Sequence, residues 1–184
     1  DYDSYAINLI LDNDADPKVF REIIFFFWQR DEKSKTLPNK DDKIRYLWRR
    51  MFNSLKKNID NAELNIIIPS LLRWVDNLTI IDSEAFGWIK FSLEYIHKGF
   101  EIDFFLEAII LHVPKQPKEV GSIILIFSEN TKVIIYRTDE VEKIFQALFD
   151  NGEKEVLHDI LNNFGKNGHL QFDDLYKKYF SINK

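Results

Sequence analysis

Apolar residues recur along most of the chain at intervals of three and four, the spacing that places side chains on one face of an α-helix. The clearest stripe lies in residues 41–58, where basic residues occupy the positions between the apolar ones. Comparable stripes predict further helices over residues 17–30, 61–78, 83–98, 103–113, 117–128, 139–150, 153–164 and 172–180. Only residues 133–136 have the β-branched and aromatic composition of a short extended link. The pattern therefore predicts an all-α fold.

Two predicted helices within residues 82–114 are apolar on more than one side, so we expect them to be buried between neighbouring helices. Asp82 or Ser83 can accept hydrogen bonds from the orphan N–H groups at the start of the first helix. Gly99 is placed to end that helix, and Pro114 is placed to end the second. We expect the rest of the chain to be organised around this pair.

Proline and glycine mark where other helices bend or end. Pro69 lies inside the stripe of residues 61–78, and we predict that it kinks one helix, because the stripe keeps its phase across it. A break followed by a second helix is the alternative. Gly152 and Gly165 are predicted to end the helices that precede them. Nine large side chains on the stripes are predicted core residues: Trp48, Trp74, Trp88, Phe105, Ile109, Val141, Phe145, Leu148 and Leu157.

The spacing of the predicted helices suggests how they assemble. Alternate helices begin 33 to 44 residues apart, which is the period of two-helix solenoid repeats. We therefore predict antiparallel helix pairs stacked as a short right-handed HEAT-like solenoid, although an irregular helical bundle gives similar spacings. Residues 1–184 are expected to form a single repeat-like domain. We expect this domain to be a fragment of a larger protein, because residues 1–5 resemble the interior of a sequence.

Composition narrows the class of protein. The net charge of −5 gives no general attraction to nucleic acid, and the absence of cysteine excludes disulfides and thiolate metal sites. No run of 18 apolar residues is present, so no membrane span is predicted. These features favour a cytoplasmic location.

Residues capable of catalysis do not form a recognisable motif. The chain has no Gly-x-Ser-x-Gly elbow, and none of its four histidines (His97, His112, His158 and His169) pairs with another at metal-ligand spacing. His158 precedes Asp159, but neighbouring helical residues point about 100° apart. Residues 165–169 have two glycines and a lysine but lack the Walker pattern. We therefore predict no enzymatic activity for this chain alone, no cofactor and no metal site.

The predicted helix over residues 41–58 is strongly basic. Seven lysines or arginines and two aspartates lie between Lys40 and Lys57, which gives a local charge of +5. Such a stripe can meet phosphates or an acidic protein surface, or can simply be solvated. The candidate binding residues on this helix are Arg45, Arg49, Arg50, Lys56 and Lys57.

The segment TDEVEKIFQALFDNGEKEVLHDILNNFGKNGHLQFDDLYKK, within residues 138–179, resembles the C-terminal helical repeats of large multidomain bacterial proteins. These include phage-defence proteins that carry an N-terminal effector domain. The helix containing Pro69 and the two-helix spacing are also similar to HEAT repeats. The resemblance implies a cytoplasmic bacterial protein whose helical region recognises a ligand or holds partners together, and it identifies no functional residue.

These observations together predict a non-catalytic helical-repeat module for protein–protein interaction or ligand sensing within a larger protein. Its expected partners are another protein or attached domains of the parent chain. The alternative is a nucleic-acid-binding domain that uses the basic helix over residues 41–58.

Overall fold

Helices form all the regular secondary structure in the part of the chain that the structure, a computed structural model, describes. The described residues are 19, 40–57, 60, 62–96, 102–130, 135 and 138–180. The α-helices are α1 Lys40–Lys57, α2 Ala62–Ile67, α3 Ser83–Glu94, α4 Asp103–Ile110, α5 Pro117–Ser128, α6 Thr138–Asp150, α7 Lys154–Lys166 and α8 Asp173–Phe180. Two 3₁₀-helices span Ile68–Asn77 and Leu170–Phe172. The all-α prediction is therefore confirmed for this part of the chain.

Three sequence predictions fall on residues that the structure does not describe. The helix over residues 17–30 lies outside the described residues apart from Val19. Gly99 lies outside them, and so does most of the extended link at residues 133–136.

Contacts group the chain into two compact units, Asp1–Thr79 (unit 1) and Ile80–Lys184 (unit 2). The prediction of a single domain over residues 1–184 concerns how these units join, and it stays a prediction. All nine predicted core residues are buried, each with at most 8% of its surface exposed.

Unit 1 packs its helices around two tryptophans. Trp48 of α1 stacks on Trp74 of the first 3₁₀-helix, with ring centroids 6.3 Å apart and planes 17° from parallel. Phe52 approaches the Trp48 ring edge-on at 6.4 Å. Burial of these large rings removes apolar area from water, which stabilises the packing of α1 on the 3₁₀-helix.

The prediction of one α-helix over residues 61–78 is wrong, because a second helix of a different type follows Ile67, as in the alternative but without a break. α2 ends at Ile67, and a 3₁₀-helix runs from Ile68 to Asn77 with Pro69 in its first turn, where no N–H is required. A 3₁₀-helix has three residues per turn, so side chains three apart align along one side. The segment from Ile68 repeats apolar, apolar, polar in threes, and its apolar columns are buried: Ile68, Leu71, Leu72, Trp74, Val75 and Leu78.

Unit 2 contains α3 to α8. Asp82, one of the two predicted caps of α3, accepts the Ala85 N–H at 2.9 Å. Helix α5 packs on both α3 and α7, and α4 packs on α6. Helix α7 also contacts α6 and α8. A chain of phenylalanine rings, each centroid within 6.5 Å of the next, runs through this unit: Phe105, Phe127, Phe164, Phe145 and Phe172.

The segment that enters α3 is held by the side chain of Gln116, which lies between α4 and α5. Gln116 Oε1 accepts the Ile81 N–H at 2.6 Å, and Gln116 Nε2 donates to the Ile81 carbonyl at 2.8 Å. A side-chain amide can form this pair because it carries the same donor and acceptor as a peptide group.

Asn–Gly pairs end helices α6 and α7. Gly152 and Gly168 both have φ of +86°, in the left-handed region that favours glycine. Glu153 N–H donates to the Leu148 carbonyl at 3.0 Å, and His169 N–H donates to the Phe164 carbonyl at 2.9 Å, as in Schellman caps. Gly152 therefore ends α6 as predicted.

The prediction that Gly165 ends α7 is wrong. Gly165 lies inside the helix, and its carbonyl accepts the Gly168 N–H at 3.1 Å. Either glycine can end a helix, and the chain ends α7 at the later one, Gly168. The helix therefore continues past Phe164, which is buried.

Candidate functional site

The five basic residues predicted on α1 do not share one exposure. Arg49, Lys56 and Lys57 are exposed, Arg50 is half-buried, and Arg45 is buried at 8% exposed. At roughly 100° per residue, Arg45, Arg49 and Lys56 fall on one strip, and the other two fall on a second strip about 100° further round the helix. Arg45 thus lies at the edge of the buried side of α1, and the exposed cations are divided between two faces.

A second polar cluster lies where α7 meets α8, and we call it the His158 cluster. The Nε2 atom of His158 is 3.0 Å from Tyr176 Oη, and its Nδ1 atom is 3.1 Å from Asn162 Nδ2. Since an amide NH₂ only donates, Asn162 donates to the His158 ring, and its Nδ2 atom lies nearer to Nδ1 than to Nε2, at 3.1 against 3.4 Å. Sequence spacing could not show the contact with Tyr176, because 18 residues separate the pair.

Aromatic rings surround His158 on the α8 side. Its ring lies 5.5 Å from that of Tyr176 and 5.3 Å from that of Phe180, which it meets nearly at right angles. An open depression beside the cluster is lined by Lys154, Glu155, His158, Asp159 and Phe180. Because α8 has no fully buried side chain, these contacts are a large part of what holds it on α7.

The histidine and the neighbouring carboxylate of the His158 cluster are not closely paired. His158 Nδ1 is 3.5 Å from Asp159 Oδ1, beyond the usual hydrogen-bond range, and the two side chains are 43% and 65% exposed. Tyr176 and Asn162 orient the His158 ring, and both side chains of the His158–Asp159 pair are open to water. No three histidine, aspartate or glutamate side chains within the described ranges could hold a metal ion together.

The remaining described histidines are in different surroundings. His112 is buried at 6% exposed. His169 lies beside Phe164 and Phe172, with ring centroids 5.3 and 6.4 Å away, and this burial lowers its pKa from the ordinary value of 6.5. Residues 165–169, whose two glycines and lysine lack the Walker pattern, include the cap of α7, so the cap accounts for Gly168.

Two asparagines connect the C-terminal ends of neighbouring helices, α5 to α3 and α7 to α5, and we call these contacts the asparagine rungs. Asn130, after α5, donates from Nδ2 to the Leu93 carbonyl in the last turn of α3, over a long 3.4 Å. Asn167, after α7, donates from Nδ2 to the Ser128 carbonyl at the end of α5, at 2.8 Å. Both acceptors are carbonyls of a last helical turn, and that of Leu93 also accepts the Ile96 N–H at 3.3 Å.

The second rung is reinforced by a side-chain relay. Asn163 Nδ2 donates to Ser128 Oγ at 3.3 Å, and that hydroxyl donates to the Leu125 carbonyl at 2.7 Å. The sequence carries one signal for the rungs, which is an asparagine shortly after α5 and another after α7. Sequence reasoning missed it because the acceptors lie 37 and 39 residues away.

None of the described helices is long and apolar enough to cross a membrane. No protein-family model matches the chain, and no curated protein or solved structure is significantly similar to it.

Proposed function

We propose that this chain is a non-catalytic helical-repeat module that binds a protein partner, or holds together domains, within a larger protein. The proposal rests on the way the helices of unit 2 form two rows. Helices α3, α5 and α7 pack side by side as an odd row. Helices α4 and α6 pack together, and Tyr179 of α8 contacts Phe149 and Gln146 of α6, which extends an even row.

The two rows have nearly constant spacing along the chain. Helices α4, α6 and α8 begin at Asp103, Thr138 and Asp173, at intervals of 35 residues. Asn130 and Asn167 are 37 residues apart, the same interval that separates the starts of α5 and α7. A polar contact repeated at the period of the helices supports a HEAT-like stack, because each unit of such a stack contacts only its neighbours.

A stack of this kind presents a row of exposed side chains on each outer face, and such faces commonly bind extended partners. In unit 2 the large apolar side chains Ile80, Leu111 and Leu170 are 48%, 66% and 66% exposed. A cytoplasmic location remains part of the proposal, on the composition and the resemblance described above.

The exposed geometry of the His158 cluster supports a non-catalytic role. The side chains of His158 and Asp159 are 43% and 65% exposed, and Nδ1 and Oδ1 lie 3.5 Å apart. The shortest hydrogen bond of His158 is to Tyr176 of the neighbouring helix. These groups hold two helices together, which is a sufficient reason for their positions.

Lysine-reactivity footprinting tests the proposal, because each row carries exposed lysines. The odd row carries Lys90, Lys118, Lys154 and Lys166, and the even row carries Lys143, Lys177 and Lys178. The full-length parent protein, labelled in cell extract and after purification, should lose reactivity at the lysines of one row as a set. Uniform reactivity in both samples would contradict binding through a row.

Nucleic-acid binding through α1 is the alternative, and the same experiment addresses it. It requires protection of Lys56 and Lys57 that disappears after nuclease treatment. It also requires that affinity for a DNA or RNA duplex falls steeply with salt, with a log–log slope of roughly one per phosphate contact. The burial of Arg45 leaves four candidate contacts, so the expected slope is at most about four.

A further inference from the structure

The two Asn–Gly pairs of unit 2 carry the same local chemistry in two different environments. In each pair the asparagine is the C-cap of a helix and the glycine has φ of +86°. Asn151 is exposed and binds within its own helix, with Nδ2 donating to the Ala147 carbonyl at 2.8 Å. Asn167 is half-buried and binds Ser128 of the neighbouring helix.

We propose that Asn151 is a site of spontaneous deamidation and that the asparagine rung protects Asn167 from the same reaction. In this reaction the backbone nitrogen of the following glycine attacks Cγ of the asparagine. A Cγ–N bond forms, the Cγ–NH₂ bond breaks, and ammonia leaves. Water then opens the cyclic imide to aspartate or isoaspartate, so the net change is water consumed and ammonia released.

Glycine makes this attack easiest because it has no side chain to crowd the ring. At Gly152 a Cβ atom would meet no atom within 4 Å, and the same is true at Gly168, so crowding does not separate the two sites. What differs is the opening that each attack requires. In both caps the glycine N–H is already hydrogen-bonded, to Phe149 or to Gly165, at 3.1 Å.

Opening the cap at Asn151 breaks contacts within the last turn of α6 alone. Opening the cap at Asn167 also breaks its rung to the Ser128 carbonyl, and with it the end of the α5–α7 interface. Local openings range from almost free fraying of helix ends to the full free energy of unfolding. Asn151 therefore reaches the reactive geometry more often.

The product at Asn151 weakens the helix end on which it forms. A carboxylate replaces an amide donor that faces the Ala147 carbonyl, next to Asp150 and at the negative end of the helix dipole. Phe149 and Gln146, which contact Tyr179 of α8, lie in the same two turns. Deamidation of Asn151 is therefore expected to weaken the packing of α8 on the end of α6.

Peptide mapping by mass spectrometry measures both sites in one sample. Full-length protein is incubated in mildly alkaline buffer, and conversion of amide to acid is followed at each asparagine. We expect Asn151 to convert at least about tenfold faster than Asn167, since a small difference in local opening free energy gives that ratio. Equal rates, or faster conversion of Asn167, would overturn the proposal.

Two controls separate structure from sequence. In concentrated urea both sites lie in an unfolded chain, so the two rates should converge; a persistent difference would mean that flanking residues set the rates. In Val156→Ala, which loosens the contact of α7 with Gly121, Asn167 should convert faster while Asn151 does not change. Unchanged conversion of Asn167 in that variant would show that the α5–α7 interface does not protect it.

Discussion

Helix α7 has two flanks that are held in different ways. On the side of α5 the backbones approach closely, because a Cβ atom added at Gly121 would lie 2.9 Å from a methyl group of Val156. On the side of α8 the contacts are a histidine–tyrosine hydrogen bond and ring edges, and α8 buries no side chain completely. The flank towards α5 is therefore held by close packing of the two helices. The flank towards α8 is held by a few polar and aromatic contacts that are partly exposed to solvent.

Removing a core ring should have the largest effect. Phe164 is 1% exposed and lies within 6.1 Å of the rings of Phe127, Phe145 and Phe172. Phe164→Ala should lower the free energy of unfolding by about 3–5 kcal/mol in urea titrations. Phe180→Ala, on half-buried α8, is the matched control and should cost clearly less; equal costs would remove the distinction between the two flanks.

A methyl group added on the close flank should be the next most harmful change. Gly121→Ala drives Cβ into Val156, and overpacking of this kind costs about 1–3 kcal/mol. The second substitution Val156→Ala removes the opposing methyl groups, so the double variant should recover part of the loss. Additive losses in the double-mutant cycle would contradict a direct clash.

Gly87 provides an internal reference for that substitution. It lies on the exposed side of α3, and a Cβ atom there meets nothing within 4 Å. Gly87→Ala should raise stability by about 0.5–1 kcal/mol, because alanine loses less backbone entropy in a helix. Glycine-to-alanine substitution is thus expected to raise stability at Gly87 and to lower it at Gly121. Thermal melts of both variants test this, and a shift of the melting temperature in the same direction would contradict it.

On the flank towards α8, loss of one hydroxyl group should have a small and local effect on stability. Tyr176→Phe removes the hydrogen bond to His158 and should cost about 0.5–1.5 kcal/mol. Hydrogen exchange should speed up in α8 while the amides of α5 stay protected. If the double variant with His158→Gln loses the sum of the two single losses, the two residues do not act through one bond.

The smallest effect should come from the titration of His169. Burial lowers its pKa below 6.5, so the folded protein binds this proton less readily than the unfolded chain. The associated stability is fully present above pH 6.5 and is lost as the pH falls through the lowered pKa. His169→Gln should flatten this part of the stability profile, and an unchanged slope would assign it to other groups.

Local signals in the sequence were sufficient to place most helices. The starts predicted at Ser83, Asp103 and Pro117 agree with the structure, because caps and prolines act within one turn. The pattern does not predict the change to a 3₁₀-helix at Ile68. A stripe that keeps its phase across Pro69 fits a period of 3.6 as well as a period of 3, because over ten residues the two periods are hard to separate.

Contacts between distant helices were beyond the reach of the sequence. Nothing near Asn167 indicates Ser128, and nothing near His158 indicates Tyr176, since the rows that bring them together are set by packing. For the same reason helical periodicity alone does not predict that the basic residues of α1 differ in exposure. Arg45 lies beside the apolar stripe, and its burial depends on neighbours that a helical projection does not include.

The paired hydrogen bonds of Gln116 have a mechanical consequence. They clamp Ile81 immediately before α3, so tension applied along the chain from the direction of unit 1 reaches this clamp before it reaches the helix. Both bonds must lengthen together, since one rigid amide makes them. Until these bonds break, the turn between α4 and α5 shares the load, so we expect the first turn of α3 to resist unwinding under force.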